Sequence, residues 1–336
     1  MQDEFESMTR RDFLRITAAG AAAGLDTLLP AQAGAQQQPA GTRIAPQHPV
    51  ELHSDLVQVT LDGDDGLPFQ YRYKPTGATL RGEDYGQKII ATICNIESWD
   101  FFEVTPAVAP ADLPAATEAH GADFNFTVKE GPEVYATFRV RYQLRGASLF
   151  ITMDTIGERP GFQLLDAAMP HLATVREEDP GAWLVYGDTG GKFISLAGAK
   201  PGTLPPNRFW GRIHSTMPIA MVGTARMLCL QETTACMDTT NVAITGSKGS
   251  RRATIGSGRV HRVNGSKCYD MNLGTGVPRS CGARGTPNLL IEDAPSTRLD
   301  FLPVTGDPRD AWLIAGKVVR DRMPKIPKTI YSRRYM

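Results

Sequence analysis

Two short stretches set aromatic rings beside polar groups in the way a sugar site does. Trp99-Asp100-Phe101-Phe102 puts a Trp/Phe cluster next to a carboxylate, and Phe209-Trp210 precedes Arg212 and His214. Aromatic faces stack on the apolar side of a pyranose while a charged or polar group bonds its hydroxyls. Trp99, Asp100, Trp210, Arg212 and His214 are therefore the candidate carbohydrate-binding residues. The same clusters also read as hydrophobic core. Acid–base chemistry has a separate source: His171 or His214, with an acid such as Glu177 or Glu232, supplies the groups a general acid and base require. No Gly-x-Ser-x-Gly elbow and no His-Glu-x-x-His is present. A retaining glycosidase needs two carboxyl groups about 5 Å apart, and no pair stands out as such a dyad.

Other motifs carry less. Gly187-Asp188-Thr189-Gly190-Gly191-Lys192 is glycine-rich but lacks the spacing and the Ser/Thr of a phosphate loop, so it reads as a turn. Asp62-Gly63-Asp64-Asp65-Gly66 resembles a shortened calcium loop without the distal Glu, and a hairpin turn explains it better. The six histidines are scattered and no Cys-x-x-Cys occurs, so no metal and no cofactor are expected. Lys248, Arg251, Arg252, Arg259, Arg262 and Lys267 make one region basic, either as a patch for an acidic partner or as the solvated face of a hairpin. Overall the charges balance at 36 Lys+Arg against 36 Asp+Glu, which gives no field for nucleic acid or an anionic membrane. Of the five cysteines, Cys94, Cys229, Cys236, Cys268 and Cys281, the pairs Cys229/Cys236 and Cys268/Cys281 are near enough in sequence to bridge hairpins, the sequence does not fix the pairing, and one cysteine must remain over.

The elements that must hold these residues are strands. Leu56–Leu61, Phe69–Tyr73, Ile89–Ile93, Phe124–Val128, Leu149–Met153, Trp183–Tyr186, Met227–Leu230 and Arg298–Leu302 are short runs of β-forming residues separated by Gly, Pro, Asn and Asp. Val134 to Leu144 alternates polar and apolar residues, so one face is buried and the other wet. Many strands without intervening helical patterns predict a mainly β fold, a large antiparallel β-sandwich. One helix is expected near the end. Asp307 caps it, Pro308 takes its first position, Asp310 is placed to reach back to the cap, and Pro324 stops it. Ala311, Trp312, Ala315, Val318, Val319 and Met323 form an apolar face that needs a partner, so the helix reads as a connector to a further domain.

The opening residues are read as an export signal. Thr9-Arg10-Arg11-Asp12-Phe13-Leu14 matches the twin-arginine pattern, with Arg10 and Arg11 as its recognition residues, and Ala-x-Ala sites follow at Ala31 and Ala33. The apolar run between is shorter than the roughly 20 residues that span a bilayer, so no stable membrane anchor is expected. The organisation expected is a signal peptide over 1–35, a leader over 36–50, a sandwich over 51–304 and a connector with tail over 305–336. The expected location is periplasmic or secreted, with the twin-arginine export machinery as a partner.

A resemblance rests on both ends of the sandwich. Asp65-Gly66-Leu67-Pro68-Phe69-Gln70-Tyr71 with the turn at Leu80-Arg81-Gly82, and Asp310-Ala311-Trp312 with Ala315-Gly316, Arg320 and Met323-Pro324, are similar to endo-α-N-acetylgalactosaminidase-like glycoside hydrolases. The resemblance covers the sandwich that precedes the catalytic barrel of that family. It implies a galactose mutarotase-like supersandwich, a substrate class of O-linked glycans bearing α-linked N-acetylgalactosamine, and catalytic carboxylates on a barrel beyond this sequence. No catalytic residue is carried over, and the expected role is to scaffold or bind carbohydrate. A self-sufficient mutarotase-like epimerase and a non-catalytic structural domain are the alternatives.

Overall fold

The structure is a computed structural model that describes residues 45–83, 86, 88–95, 97–98, 100–109, 120–186, 192–196, 212–214, 219–233, 240–247, 249–257, 296–310, 313 and 316–317. In chain order the strands are β1 Pro49–His53, β2 Val57–Asp62, β3 Pro68–Tyr73, β4 Ala78–Arg81, β5 Ile90–Asn95, β6 Phe101–Val104, β7 Ala107–Ala109, β8 Gly121–Glu130, β9 Glu133–Arg145 and β10 Ser148–Glu158. They continue as β11 Phe162–Arg176, β12 Trp183–Tyr186, β13 Lys192–Ser195, β14 Arg212–His214, β15 Ile219–Gly223, β16 Met227–Thr233, β17 Thr240–Thr245, β18 Arg252–Ser257 and β19 Ser296–Pro303. All the pairings between them are antiparallel.

Two sheets result. A ten-stranded sheet runs β1-β2-β3-β4-β11-β18-β17-β14, with β5 and β6 attached through β11, and a nine-stranded sheet runs β13-β12-β15-β16-β19-β10-β9-β8-β7. Period-two alternation explains why they stack. On β2 the residues Val57, Val59 and Leu61 are fully buried, and on β9 Phe138, Val140 and Tyr142 are. These inward faces form one core. Tyr71 of β3 and Phe301 of β19 meet across it with ring centroids 4.6 Å apart. The Tyr142 hydroxyl donates across it to the Gly66 carbonyl at 2.6 Å. The mainly β antiparallel sandwich expected from the strand pattern is therefore the architecture present.

β12, β15 and β16 are buried on both faces. Trp183, Val185, Met221, Leu228 and Leu230 form a second apolar cluster on the outer side of the nine-stranded sheet, which is why Trp183–Tyr186 is an unbroken apolar run and not an alternating one.

β11 is the hub of the ten-stranded sheet. Its first half pairs with β5 and its second half with β18 and β4. The changeover falls at a register shift between Met169 and Ala173, where Pro170 has no N–H to give a ladder.

At the far end, Asp307 does cap a helical turn, since its Oδ1 accepts the Arg309 N–H at 2.9 Å and Pro308–Asp310 forms a 3-10 turn. Leu313, Gly316 and Lys317 are helical and exposed, and they lie off the apolar stripe read from the sequence. That stripe, with Trp312, lies outside the described residues, as do Arg10, Arg11 and the Gly187–Gly191 turn. Among the described residues no helix is long and apolar enough to cross a membrane.

Candidate functional site

The outer face of the ten-stranded sheet carries a mostly polar row. Directly paired residues share a face, so the register places Thr60, Gln70, Arg81, Thr174, Thr254 and Ala243 in one row across β2, β3, β4, β11, β18 and β17. Arg212 takes the next position, opposite Ala243 on the edge strand β14. One row along, Arg176 stands directly opposite Arg252. Towards β1 this face is open, with Gln70, Arg72 and Thr79 exposed. Around β11 and β18 it is covered: Thr174, Arg176, Arg252 and Thr254 are at most 8% exposed. Charged and hydroxyl side chains are seldom buried in such number on a sheet's outer side.

A histidine–carboxylate pair completes the buried part. His171, in the register shift of β11, has Nδ1 3.6 Å from Glu83 Oε1, and both side chains are enclosed. Glu83 is held by its backbone and its carboxylate. Its N–H donates to the Pro68 carbonyl at 2.7 Å, and its Oε2 accepts the Gly86 N–H at 2.9 Å. Gly82 makes this approach feasible, because a Cβ there would lie 2.1 Å from the Pro68 carbonyl oxygen.

Acidic side chains from the loop after β11 fold back over this face. Arg81 Nη1 donates to both oxygens of Asp179, at 2.7 and 2.6 Å, and Asp179 Oδ2 accepts the Arg176 N–H at 2.7 Å. Glu178 Oε1 lies 3.2 Å from Arg176 Nη1 and 4.0 Å from Arg81 Nη2.

The acids proposed as partners of His171 are elsewhere. Glu177 is taken by Arg251, whose Nη1 lies 3.2 Å from its Oε1, and by the Gly249 N–H at 2.8 Å. Glu232 stands on β16 of the other sheet, in register with Arg298. Glu83 is the partner of His171, and sequence reasoning missed it because it follows a four-residue strand with no further signal. Arg251 and Arg252 are also buried, so neither is part of a solvated hairpin face. The buried inner end of the hairpin needs Arg251 to neutralise Glu177.

Of the candidate sugar residues, Trp99 and Trp210 lie outside the described residues, as do the side chains of Arg212 and His214. Asp100 is exposed in the β5–β6 turn, where its carbonyl accepts the Asn95 N–H at 2.9 Å and its Oδ2 accepts the Ser98 hydroxyl at 2.6 Å. Phe102 from the same stretch joins a ring cluster, 5.1 Å from Tyr135 and 6.4 Å from Phe162 by centroids. That ring serves packing. The register thus brings the backbone of Arg212 to the polar row and leaves Asp100 on a separate hairpin.

The remaining motifs resolve as structure. Asp62–Gly66 is a turn in which Asp62 Oδ1 accepts the Asp64 N–H and Asp65 Oδ1 the Leu67 N–H, each at 2.9 Å. No group of three or more metal-ligating side chains exists among the described residues. Cys229 is a free, buried thiol and not half of a bridge to Cys236, and Cys94 is free and buried as well. Burial pushes the Cys229 thiol well up, with the nearby Asp300 charge adding to it. Burial likewise raises the Tyr71 and Tyr142 hydroxyls.

No family model matches the sequence, and no curated protein matches it. Solved structures do resemble it. A quadruple mutant of the alpha-N-acetylgalactosaminidase NagBb from Bifidobacterium bifidum superposes with a TM-score of 0.52 at 9% identity, over 81% of this chain and 39% of that one. The ligand-free NagBb gives 0.51 at 12% identity over the same shares. A galactose mutarotase related enzyme from Lactobacillus acidophilus gives 0.42 at 7% identity, over 77% of this chain and 99% of its own. The chain therefore spans about two fifths of NagBb and has the β-sandwich fold of the part it matches.

Proposed function

We propose that this is an exported carbohydrate-active protein whose sandwich binds a glycan across the polar face of the ten-stranded sheet, as the sandwich portion of a glycoside hydrolase acting on O-linked glycans. The observation that carries this reading is the open part of that face, where Gln70 pairs with Arg81 and the exposed Arg72 with the exposed Thr79 in neighbouring register lines. Hydroxyl, amide and guanidinium groups spaced by one strand, about 4.8 Å, match the spacing of sugar hydroxyls along a short oligosaccharide. The fold shared with part of NagBb supports the class of ligand, and the twin-arginine pattern at Arg10 and Arg11 supports export to the periplasm or beyond.

Calorimetric titration with N-acetylgalactosamine-bearing O-glycan fragments tests it. Saturable binding that weakens in Gln70→Ala is expected, and Gln70 is exposed enough for that variant to fold normally. A flat titration with every fragment removes the reading.

One observation favours a second reading, that of a sugar epimerase: the enclosed His171–Glu83 pair. The two would act as general acid and base at the anomeric centre. Polarimetry separates the readings, since a binding sandwich leaves the rate of anomer exchange unchanged, whereas an epimerase accelerates it and loses that ability in His171→Asn.

A further inference from the structure

We infer that Arg145, Arg298 and Gln143, gathered around the Phe150 ring on the outer face of the nine-stranded sheet, form a seat for a phosphate monoester. The inference is independent of the carbohydrate reading, which concerns the other sheet.

Alternation puts the four residues on one face. Leu144 of β9, Leu149 of β10 and Leu299 of β19 belong to the core, so Gln143, Arg145, Phe150 and Arg298 point the other way. The register then sets them side by side. Phe150 stands between Gln143 on β9 and Arg298 on β19, and Arg145 is diagonal to it, opposite Ser148. Both guanidinium groups lie over the Phe150 ring, 5.4 Å from its centroid for Arg145 and 4.9 Å for Arg298. The negative face of the ring attracts each of them, and so holds at one place two like charges that would otherwise repel.

The remaining bonds fix these groups and leave donors over. Arg298 Nε donates to Asp300 Oδ1 and Nη2 to the Ser148 hydroxyl oxygen, each at 2.9 Å, while that hydroxyl donates to Asp300 Oδ1 at 2.5 Å. Asp300 and Ser148 are 3% and 8% exposed, so Arg298 rests on a buried polar network although its own side chain is 25% exposed. Arg145 is exposed and donates through Nη2 to Gln143 Oε1 at 2.5 Å. With that oxygen engaged, the exposed Gln143 amide presents its nitrogen as a donor. Among the described residues no carboxylate bonds Arg145, whereas Arg141, further along β9, has Asp123 at 3.2 Å. Arg145 Nε and Nη1, Arg298 Nη1 and Gln143 Nε2 thus remain as donors from three side chains around one ring.

That donor set selects the ligand's chemistry. A phosphate monoester carries close to two negative charges and three acceptor oxygens, enough to accept from all three side chains at once. A carboxylate offers only two oxygens in one plane.

The test is calorimetric titration of the full chain with glycerol 3-phosphate, glycerol and inorganic phosphate, joined to co-sedimentation with phosphatidylcholine vesicles that carry or lack phosphatidic acid. Glycerol 3-phosphate should bind saturably and glycerol should not. Arg145→Ala, at an exposed position that folds normally, should weaken glycerol 3-phosphate by about tenfold, and Arg298→Lys, which keeps the charge and loses the fork, by a similar factor. Phe150→Leu changes no charge, so a weakening of roughly three- to fivefold there separates a seat built on the ring from general attraction to a basic surface. Vesicle binding that requires phosphatidic acid and falls in Arg145→Ala assigns the seat to a lipid headgroup, and binding of glycerol 3-phosphate without vesicle binding assigns it to a soluble ester. Inorganic phosphate binding as tightly as glycerol 3-phosphate overturns the assignment to an ester. An affinity unchanged in Arg145→Ala and Phe150→Leu overturns the seat even if Arg298→Lys fails to fold, and so does the absence of binding to every probe. The O-glycan titration of the other sheet stands or falls separately.

Discussion

At the residue scale the chemistry gathers where strand register stacks polar side chains, and the His171–Glu83 pair shows how tightly it is held. Glu83 accepts the Gly86 N–H and faces His171, and both side chains are buried. Glu83→Ala leaves the Gly86 N–H and a buried imidazole without that carboxylate, so a loss of about 1–3 kcal/mol is expected in urea unfolding. Glu83→Gln, which keeps an acceptor for Gly86, should lose less than half of that. Cys229 gives a pH signature. Its folded-state pKa is raised by burial and Asp300, so its contribution to stability is present below the unfolded thiol value of about 8.5 and is lost as pH rises above it. Stability should therefore fall from about pH 8.5 upward, with Tyr71 and Tyr142 steepening the fall above about pH 10. A Cys229→Ala variant should show a shallower decline between pH 8.5 and 10, and an identical slope would contradict this assignment.

At the scale of elements, β4 and β11 make the site and Gly82 is the hinge of their geometry. Adding a Cβ to Gly82 pushes it into the Pro68–Phe69 peptide, where the nearest atoms are all backbone and nothing flexible can yield. Gly82→Ala is expected to destabilise the protein by about 2–4 kcal/mol, read from the denaturant midpoint, and to disturb Glu83 more than the distant Tyr142–Gly66 bond. The same two strands explain what the sequence concealed. β2, β8, β9 and β10 announce themselves by β-branched and aromatic alternation, and the structure has strands at each of those runs. β11 reads Phe-Gln-Leu-Leu-Asp-Ala-Ala-Met-Pro-His-Leu-Ala-Thr-Val-Arg, with Leu, Ala and Met where strand formers are wanted and a proline inside it. Its strand state comes from neighbours on both sides and not from local preference. Arg81, Thr174 and Arg176 went unnoticed for the same reason. They are ordinary polar residues until register lines them up across strands that lie far apart in sequence. Asp307, whose cap is local, was legible at once.

At the scale of the molecule, two antiparallel sheets enclose one core and leave a polar outer face on the ten-stranded sheet, while part of the opposite outer face is apolar. The two outer faces differ: the glycan is proposed to lie on the open part of the polar face, along β2, β3 and β4, not on the nine-stranded sheet. Photoaffinity labelling with an O-glycan fragment carrying a diazirine, followed by peptide mass spectrometry, tests this most directly. Labelling should saturate, compete with unlabelled glycan, and fall on the peptides that contain residues 57–62, 68–73 and 78–83. Saturable labels confined to β8, β9 and β10, or labels that free glycan does not compete away, would contradict a glycan site on the polar face.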